Sequence, residues 1–240
     1  MNSLLFATKQ DIPFMEGECI LHNPSIEEIA LIGEKEYHAA VELIVSVPKN
    51  IIEQGKVDSE DISDFDIILM IVNDTNYREY RTDILLLFSL LFVNCQFKID
   101  KDNIKIIEEN GLEHFINREN FESFQNLIVQ MFKTDEEQKA IYRPADGLAK
   151  KIADKIKRGQ EKREQKKGKD PEKANISIFK KYATILSVGE QKDINMLYQC
   201  TVKQLKEEFD MYQKKVAFDR YVEARMAGAT DIETPDNWME

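Results

Sequence analysis

The sequence contains little cysteine, histidine, glycine or tryptophan: its 240 residues include three cysteines, three histidines, nine glycines and one tryptophan. Cys19, Cys95 and Cys200 are odd in number and far apart, which argues against a disulfide framework. None belongs to a Cys-x-x-Cys pair, and none lies next to a histidine that could activate its thiol. We therefore expect three reduced, partly buried cysteines that serve as small apolar side chains.

Motifs that carry catalysis are absent from the sequence. There is no Walker-type glycine loop, no glycine-rich dinucleotide-binding motif, no His-Glu-x-x-His metal motif and no nucleophile elbow. His22, His38 and His114 are more than a dozen residues apart and have no cysteine or acidic pair at ligand spacing on the same helix face. Paired carboxylates such as Glu207 and Glu208 fall on the polar sides of predicted helices, where solvation accounts for them. We therefore predict a protein that is not an enzyme and that binds no metal and no cofactor.

Long hydrophobic runs are also missing. The longest, Ile84 to Val93, falls well short of the roughly 20 residues that span a bilayer. The N-terminal residues lack the basic start, apolar stretch and small-residue cleavage site of a secretory signal. We expect no membrane insertion and a location in the cytoplasm of the cell that makes the protein. The 42% of hydrophobic residues is enough to build a substantial core.

Charge divides the chain into three parts. The net charge is −15 over residues 1–149, +6 over residues 150–173, here called the basic part, and −2 over residues 174–240, within a total of −11. From Lys157 to Lys173 there is no apolar side chain, so this stretch has no face to bury. The predicted organisation is an acidic, mostly helical body over residues 1–156, a basic solvated helix or linker over residues 157–174, and a helical C-terminal domain over residues 175–240.

The basic part allows three interpretations. Lysine and arginine neutralise phosphates, but selective nucleic-acid binding also needs aromatic or base-reading side chains, and this stretch contains no Phe, Tyr, Trp, His or Asn. The acidic residues interleaved in the basic part also weaken its positive electrostatic potential. Nucleic acid therefore ranks below contact with an acidic protein surface, and a plain solvated connector is favoured. If the stretch binds anything, the residues to test are Lys162, Arg163, Lys166 and Lys167.

Periodicity predicts a mainly α fold with minor β. Short apolar stretches on either side of Gly17, and two more around Asp100 to Asn103, predict an N-terminal and a central hairpin. Ser25 with Glu28 is a capping-box signal that predicts a helix over residues 25–47. Further helices of the body are predicted in three segments: SEDISDFDIILMIVND, which opens at Ser59, TNYREYRTDILLLFSLLFVN and NRENFESFQNLIVQMFK.

The C-terminal part is predicted to be helical as well. SIFKKYATILSVG forms one helix, for which Gly189 is the expected stop, EQKDINMLYQ forms the next, and a long helix runs from Thr201 to a cap at Gly228. Apolar residues of the long helix recur at steps of three and four over barely two heptads, which favours packing on a neighbouring helix over a long coiled coil. If this helix and the chain after it bind a partner, the anchors to test are Phe209, Tyr212, Val216, Tyr221 and Trp238. The alternative is that the first three of them pack inside the C-terminal domain.

Five segments, most of them near the two ends of the chain, carry a resemblance to a known group of proteins. They are HNPSIEEIALIGEKEYHAAVELI, ADGLAKKIADKIKRGQEK, SIFKKYATILSVG, LYQCTVKQLKEEFDMYQKKVAFDRYVEARMAGATD and PDNWM. Together they resemble tail-assembly and baseplate-associated proteins of phages that infect Gram-positive bacteria. The resemblance covers roughly half of the chain and consists of helix and turn patterns, without catalytic signatures.

The resemblance implies a non-enzymatic protein of phage morphogenesis that works through protein contacts in the host cytoplasm. The leading expectation is a tail-assembly chaperone that holds the tape-measure protein or a baseplate component until it polymerises. A permanent virion structural protein of the tail or baseplate is the alternative. A nucleic-acid-binding protein that uses the basic part ranks third.

Overall fold

The structure, a computed structural model, describes residues 11–15, 19–47, 62–133 and 177–235. These residues form helices and two small antiparallel sheets, which confirms the prediction of a mainly α fold with minor β. The strands are β1 (Ile12–Phe14), β2 (Cys19–Leu21), β3 (Gln96–Ile99), β4 (Ile104–Ile107) and β5 (Glu113–Ile116). The helices are α1 (Ile26–Ile32), α2 (Glu34–Val45), α3 (Asp64–Asn73), α4 (Arg78–Leu91), α5 (Phe121–Phe132), α6 (Ile178–Glu190), α7 (Ile194–Tyr198) and α8 (Val202–Met226).

Strands β1 and β2 form the predicted N-terminal hairpin. Ile12 pairs with Leu21 and Phe14 pairs with Cys19, and all four side chains are buried while the residues between them are exposed. This alternation is the period-two pattern of a half-buried strand. The Phe14 ring lies 5.7 Å from the Phe124 ring of α5, so the hairpin packs on the central helices.

The helix predicted over residues 25–47 is present as two helices, so the prediction of one continuous helix is wrong. Its capping box is confirmed: the Glu28 amide donates to Ser25 Oγ over 3.3 Å, and the Ser25 amide donates to Glu28 Oε2 over 2.7 Å. The first helix ends at Gly33, whose φ of 102° lies in a region that L side chains rarely adopt. The sequence hides this break because apolar residues keep their helical spacing on both sides of Gly33.

The core lies among four helices of the body. α4 packs on both α2 and α3, and α5 packs on α2. As predicted, the apolar helices α3 and α4 are at the centre: Ile68, Ile71, Leu87 and Phe88 have no exposed surface. The Phe88 ring meets the Phe124 ring edge to face at 5.7 Å, an arrangement that the ring quadrupoles favour.

Two polar contacts satisfy the ends of these central helices. Ser63 caps α3 by accepting from the Asp66 amide over 3.2 Å. The helix begins at Asp64, so the prediction that it opens at Ser59 is wrong. At the C-terminal end of α2, the Ile44 carbonyl accepts from the buried side chain of Gln125 over 2.8 Å. Helix ends leave carbonyls without intrahelical partners, so this bond between α5 and α2 satisfies a group that burial would otherwise penalise.

Strands β3, β4 and β5 form one antiparallel sheet in that order. β3 and β4 are the predicted central hairpin, whereas β5 was not predicted. In β5, Glu113 and Phe115 face outward while His114 and Ile116 face inward. A four-residue strand with a histidine on its inner face gives a weak sequence signal. His114 Nε2 lies 2.9 Å from Glu108 Oε1, which satisfies the buried ring.

The C-terminal helices are bonded to the body. The Ile26 amide of α1 donates to the Cys200 carbonyl over 2.9 Å, and the Ile178 amide of α6 donates to Glu34 Oε1 over 2.8 Å. The buried apolar core also continues from the body into α6 and α8. The connector predicted over residues 157–174 lies outside the described residues.

Gly189 does not stop α6, so that prediction is wrong. The helix continues to Glu190, and Gln191 ends it in the left-handed conformation with a φ of 56°. A β-carbon at Gly189 would lie 2.7 Å from Cε2 of Tyr212 and nearer still to its Cζ and Oη. Gly189 therefore lacks a side chain so that α6 and α8 can approach each other.

Asp83 of α4 is expected to reduce stability at neutral pH. Burial, followed by the negative charges of Glu36 and Glu79, raises the pKa of its carboxyl. Stability from such a group is present below its unfolded-state pKa and is lost as the pH rises through the folded-state pKa. Asp83→Asn should therefore raise the free energy of unfolding at pH 7 by about 0.5 kcal/mol or less, because the group is partly exposed.

Urea denaturation of the wild type and of Asp83→Asn at several pH values checks this expectation. The difference between the two proteins should shrink as the pH falls and the carboxyl of the wild type takes up its proton. A variant that is less stable than the wild type at pH 7 would contradict the role given to Glu36 and Glu79.

Candidate partner-binding surface

The first half of α8 anchors this helix to the rest of the protein. At its start, the Gln204 amide donates to Thr201 Oγ1 over 3.3 Å and the Thr201 amide donates to Gln204 Oε1 over 2.9 Å. This reciprocal box satisfies two N–H groups and confirms the predicted start. Three apolar side chains of the first half are buried: Val202, Leu205 and Phe209.

Phe209, a predicted partner anchor, faces the interior. Its ring stacks on Tyr182 of α6, with the centroids 4.0 Å and the planes 14° apart, and the residue is 7% exposed. Tyr212 and Val216, further along the same side of the helix, are half-buried. This side of α8 therefore packs on α6 and leaves little surface for a partner.

The other predicted anchors lie elsewhere. Tyr221 is half-buried near the end of α8, where its ring lies 6.4 Å from that of Phe218 and its Oη accepts from Thr234 Oγ1 over 3.4 Å. At 3.6 residues per turn, Tyr221 is on a different side of the helix from the first three anchors. Trp238 lies outside the described residues, as do four residues of the basic part, Lys162, Arg163, Lys166 and Lys167.

A cluster of charges holds the end of α6 against the middle of α8. Lys192 Nζ lies 3.2 Å from Glu190 Oε2 and 3.0 Å from Glu208 Oε2, and Lys215 Nζ lies 3.7 Å from Glu190 Oε1. Burial acts to lower the pKa of Lys192, but the two carboxylates outweigh it and the pKa is raised. Lys192 therefore stays charged at neutral pH. These contacts hold α8 to the bundle as far as Lys215.

Beyond Lys215, α8 continues for eleven residues to Met226, a distance of about 16 Å. Its end is well formed. The Gly228 amide donates to the Arg225 carbonyl over 3.0 Å, and the φ of Gly228 is 94°. The Arg225 guanidinium donates in turn to the Ala229 carbonyl over 3.3 Å. These contacts confirm the predicted cap at Gly228, and the first of them satisfies a carbonyl of the last helical turn.

From Met211, near its middle, to its end, α8 carries another line of apolar side chains, which we call the distal stripe. Its members are separated by seven, four and four residues, so they lie along one side of the helix, which faces away from the side of Phe209. They are Met211, which is 44% exposed, Phe218, which is half-buried, Val222, which is 37% exposed, and Met226, which is 83% exposed.

Sequence reasoning missed the distal stripe. The apolar residues on the buried side of α8, from Val202 to Val216, recur regularly at steps of three and four. The distal stripe is interrupted by Lys215. A signal was nevertheless present, because Phe218, Val222 and Met226 continue at helical spacing after the inward line ends at Val216.

A cleft of 530 Å³ lies between α1 and the α6–α7 pair. Its lining includes the buried side chains of Ile26, Ile29 and Phe179. Glu34, also in the lining, accepts from the Phe179 amide over 3.3 Å at the start of α6. The His38 ring lies 5.3 Å from the Phe179 ring, and burial lowers the pKa of His38 although Glu34 opposes the shift. The cleft is thus bounded by residues that join the body to the C-terminal helices.

The described residues hold no group of three or more His, Cys, Asp or Glu side chains that could bind a metal ion. Cys19, Cys95 and Cys200 form no disulfide with one another. Burial, with smaller contributions from Cys95 and Glu108, raises the pKa of Cys19 to about 12, and burial also raises the pKa of Cys95. A thiol with a raised pKa is a poor nucleophile, so neither of these cysteines is prepared for catalysis.

No protein family model matches the chain, and neither a curated protein nor a solved structure matches it. In the part of the chain that the structure describes, no helix has the length and apolar character that crossing a membrane requires. The feature that points most directly to a function is therefore the distal stripe, an exposed apolar line on a helix that is anchored at its other end.

Proposed function

We propose that this protein is a non-enzymatic assembly protein of a phage tail or baseplate. It acts as a chaperone that holds the tape-measure protein or a baseplate component through protein contacts. Two observations on the C-terminal helices, and on α8 in particular, support the proposal. The sequence of the C-terminal helices carries much of the resemblance to phage tail-assembly proteins. The same helix presents the distal stripe, and apolar helix faces of this kind bind partner proteins.

The main support for the proposal is a difference in side-chain burial between the two halves of α8. In the first half, Leu205 is fully buried and Phe209 is nearly so, whereas Val222 and Met226 in the second half are exposed. Single exposed apolar residues are common on protein surfaces and need no explanation. A line of them along one side of a helix, mostly beyond the ion pair that joins Lys215 to Glu190 of α6, is typical of a surface that a partner covers.

Affinity purification from phage-infected cells tests the proposal. We expect the tagged protein to retain the tape-measure protein or a baseplate component, identified by mass spectrometry. Val222→Ser with Met226→Ser should reduce this retention by about tenfold or more, because exposed apolar anchors carry much of the binding energy. Ile20→Ser with Leu31→Ser is the matched control, because these exposed apolar residues lie on the body. Retention of no tail protein would overturn the proposal.

Mass spectrometry of finished particles separates the chaperone from its alternative. A chaperone should be absent from purified particles, because it leaves when its partner polymerises. A stoichiometric amount in the particles would identify a permanent structural protein of the tail or baseplate instead.

A further inference from the structure

We propose that Trp238 of this chain covers part of the distal stripe by lying against Phe218, and that a partner displaces it on binding. The occupant is the short segment that follows Pro235, with the sequence Asp-Asn-Trp-Met-Glu. The displacement rests on the proposed function, because it requires a partner that binds α8. The inference goes further by adding an intramolecular contact that competes with that partner.

The chain turns back along α8 after the helix ends. The Arg225 guanidinium donates to the carbonyls of Ala229 and Thr230, over 3.3 and 3.2 Å. Further on, Thr234 Oγ1 donates to Tyr221 Oη over 3.4 Å. Tyr221 precedes Arg225 by about one helical turn. The returning chain therefore runs opposite to the helix, toward the first half of α8.

The returning chain keeps this direction where the described residues end. Ile232 and Pro235 are half-buried although residues 229–235 belong to no helix or strand, so this part of the chain is packed. A residue that precedes proline favours the extended region of backbone conformation. Thr234 therefore carries the chain onward along α8, past Tyr221.

Phe218 is the next apolar residue on that side of the helix. Phe218, Tyr221 and Arg225 are separated by three and four residues, so they lie on one side of α8. Phe218 precedes Tyr221 by about 4.5 Å along the helix axis. The four residues from Thr234 to Trp238 can span up to about 14 Å. Trp238 can therefore reach Phe218, which is a member of the distal stripe.

The chemistry of tryptophan suits this position. The Phe218 and Tyr221 rings already lie 6.4 Å apart, and a third ring can join such a pair at the usual aromatic distances. The stripe runs along about 22 Å of α8, so one tryptophan covers only part of it. Met226, at the other end of the stripe, is 83% exposed. A partner that contacts the whole stripe can therefore replace Trp238.

Intrinsic fluorescence tests the contact, because Trp238 is the only tryptophan in the sequence. In the purified full-length protein we expect emission at a shorter wavelength than in urea, and weaker quenching by acrylamide. Phe218→Ala should shift the emission to longer wavelength and increase the quenching. Phe115→Ala, the same substitution at an exposed position of β5, should change neither. Emission that is the same with and without urea would overturn the inference.

Tyr221→Phe tests the path of the returning chain. The variant keeps the ring and removes the hydroxyl that accepts from Thr234, so quenching of Trp238 should increase. Circular dichroism checks that each variant is folded, and if Phe218→Ala is not, Tyr221→Phe alone decides. Unchanged quenching in the folded variants would place Trp238 elsewhere and overturn the inference. A shift that disappears on dilution would place Trp238 on a second copy and would also overturn it.

Trp238→Ala tests the displacement in the affinity purification from phage-infected cells. A cover present in nine of ten free molecules lowers the apparent affinity about tenfold, so the variant should retain its tail protein more tightly by about that factor. Unchanged or weaker retention would overturn the displacement, and weaker retention would place Trp238 in the partner interface.

The inference and the proposed function can fail separately. If a tail protein co-purifies but the emission of Trp238 is that of the unfolded chain, the function stands and the inference is wrong. If Phe218→Ala exposes Trp238 but no tail protein co-purifies, the intramolecular contact stands, whereas the proposed function and the displacement both fail.

Discussion

Replacing Phe209 with alanine is expected to lower the free energy of unfolding by about 3 to 5 kcal/mol. The residue is 7% exposed, and its ring centroid lies 4.0 Å from that of Tyr182. The substitution leaves a cavity between α6 and α8 and removes a stacked aromatic pair. Urea denaturation followed by circular dichroism measures the change.

Phe218→Ala is the matched control, since it makes the same substitution on the same helix in the distal stripe, where the residue is half-buried. It should lower the free energy of unfolding by about 1 kcal/mol or less. It should nevertheless weaken retention of the partner, because Phe218 belongs to the surface proposed to bind it. Equal losses of stability for the two variants would contradict the division of α8 into an anchored half and a partner-binding half.

Local signals predicted much of the fold. In the N-terminal hairpin, Phe14 pairs with Cys19, five positions later, and the capping box of Ser25 and Glu28 closes within one helical turn. The sequence also predicted the starts of α1 and α8 and the cap at Gly228, which likewise depend on residues close in sequence. In each case the interacting groups are close in sequence, so their spacing alone specifies the contact.

Contacts between distant residues account for what the sequence did not predict. Gly189 has the features of a helix stop, yet its role depends on Tyr212 of another helix. Gln125 is a polar residue in an apolar helix, yet its side chain donates to the Ile44 carbonyl at the end of α2. Both roles depend on which helices are neighbours, and periodicity does not contain that information.

The candidate surface illustrates the same limit. Both apolar lines of α8 have helical spacing, so the pattern cannot tell which of them faces the protein. Two facts decide which line faces the protein: α6 ends at Glu190, and the Glu190 carboxylate pairs with Lys215 of α8. Phe218, Val222 and Met226 lie beyond that ion pair. The length of a neighbouring helix thus determines where the exposed half of α8 begins.

Replacing Gly189 with alanine is expected to lower the free energy of unfolding by about 2 kcal/mol, because the added methyl group overpacks the contact with Tyr212. In an open part of a helix the same substitution would instead add about 1 kcal/mol of stability through helix propensity. Chemical denaturation measures the sign directly. A more stable Gly189→Ala protein would contradict the close approach of α6 and α8.

The background variant Tyr212→Ala provides the control for this prediction. It is itself expected to be less stable than the wild type, because Tyr212 is half-buried between the two helices. In this background the ring that obstructs residue 189 is gone, whereas the gain in helix propensity remains. Gly189→Ala should then become stabilising, and the reversal of sign in a double-mutant cycle would assign the cost in the wild type to the contact between residues 189 and 212.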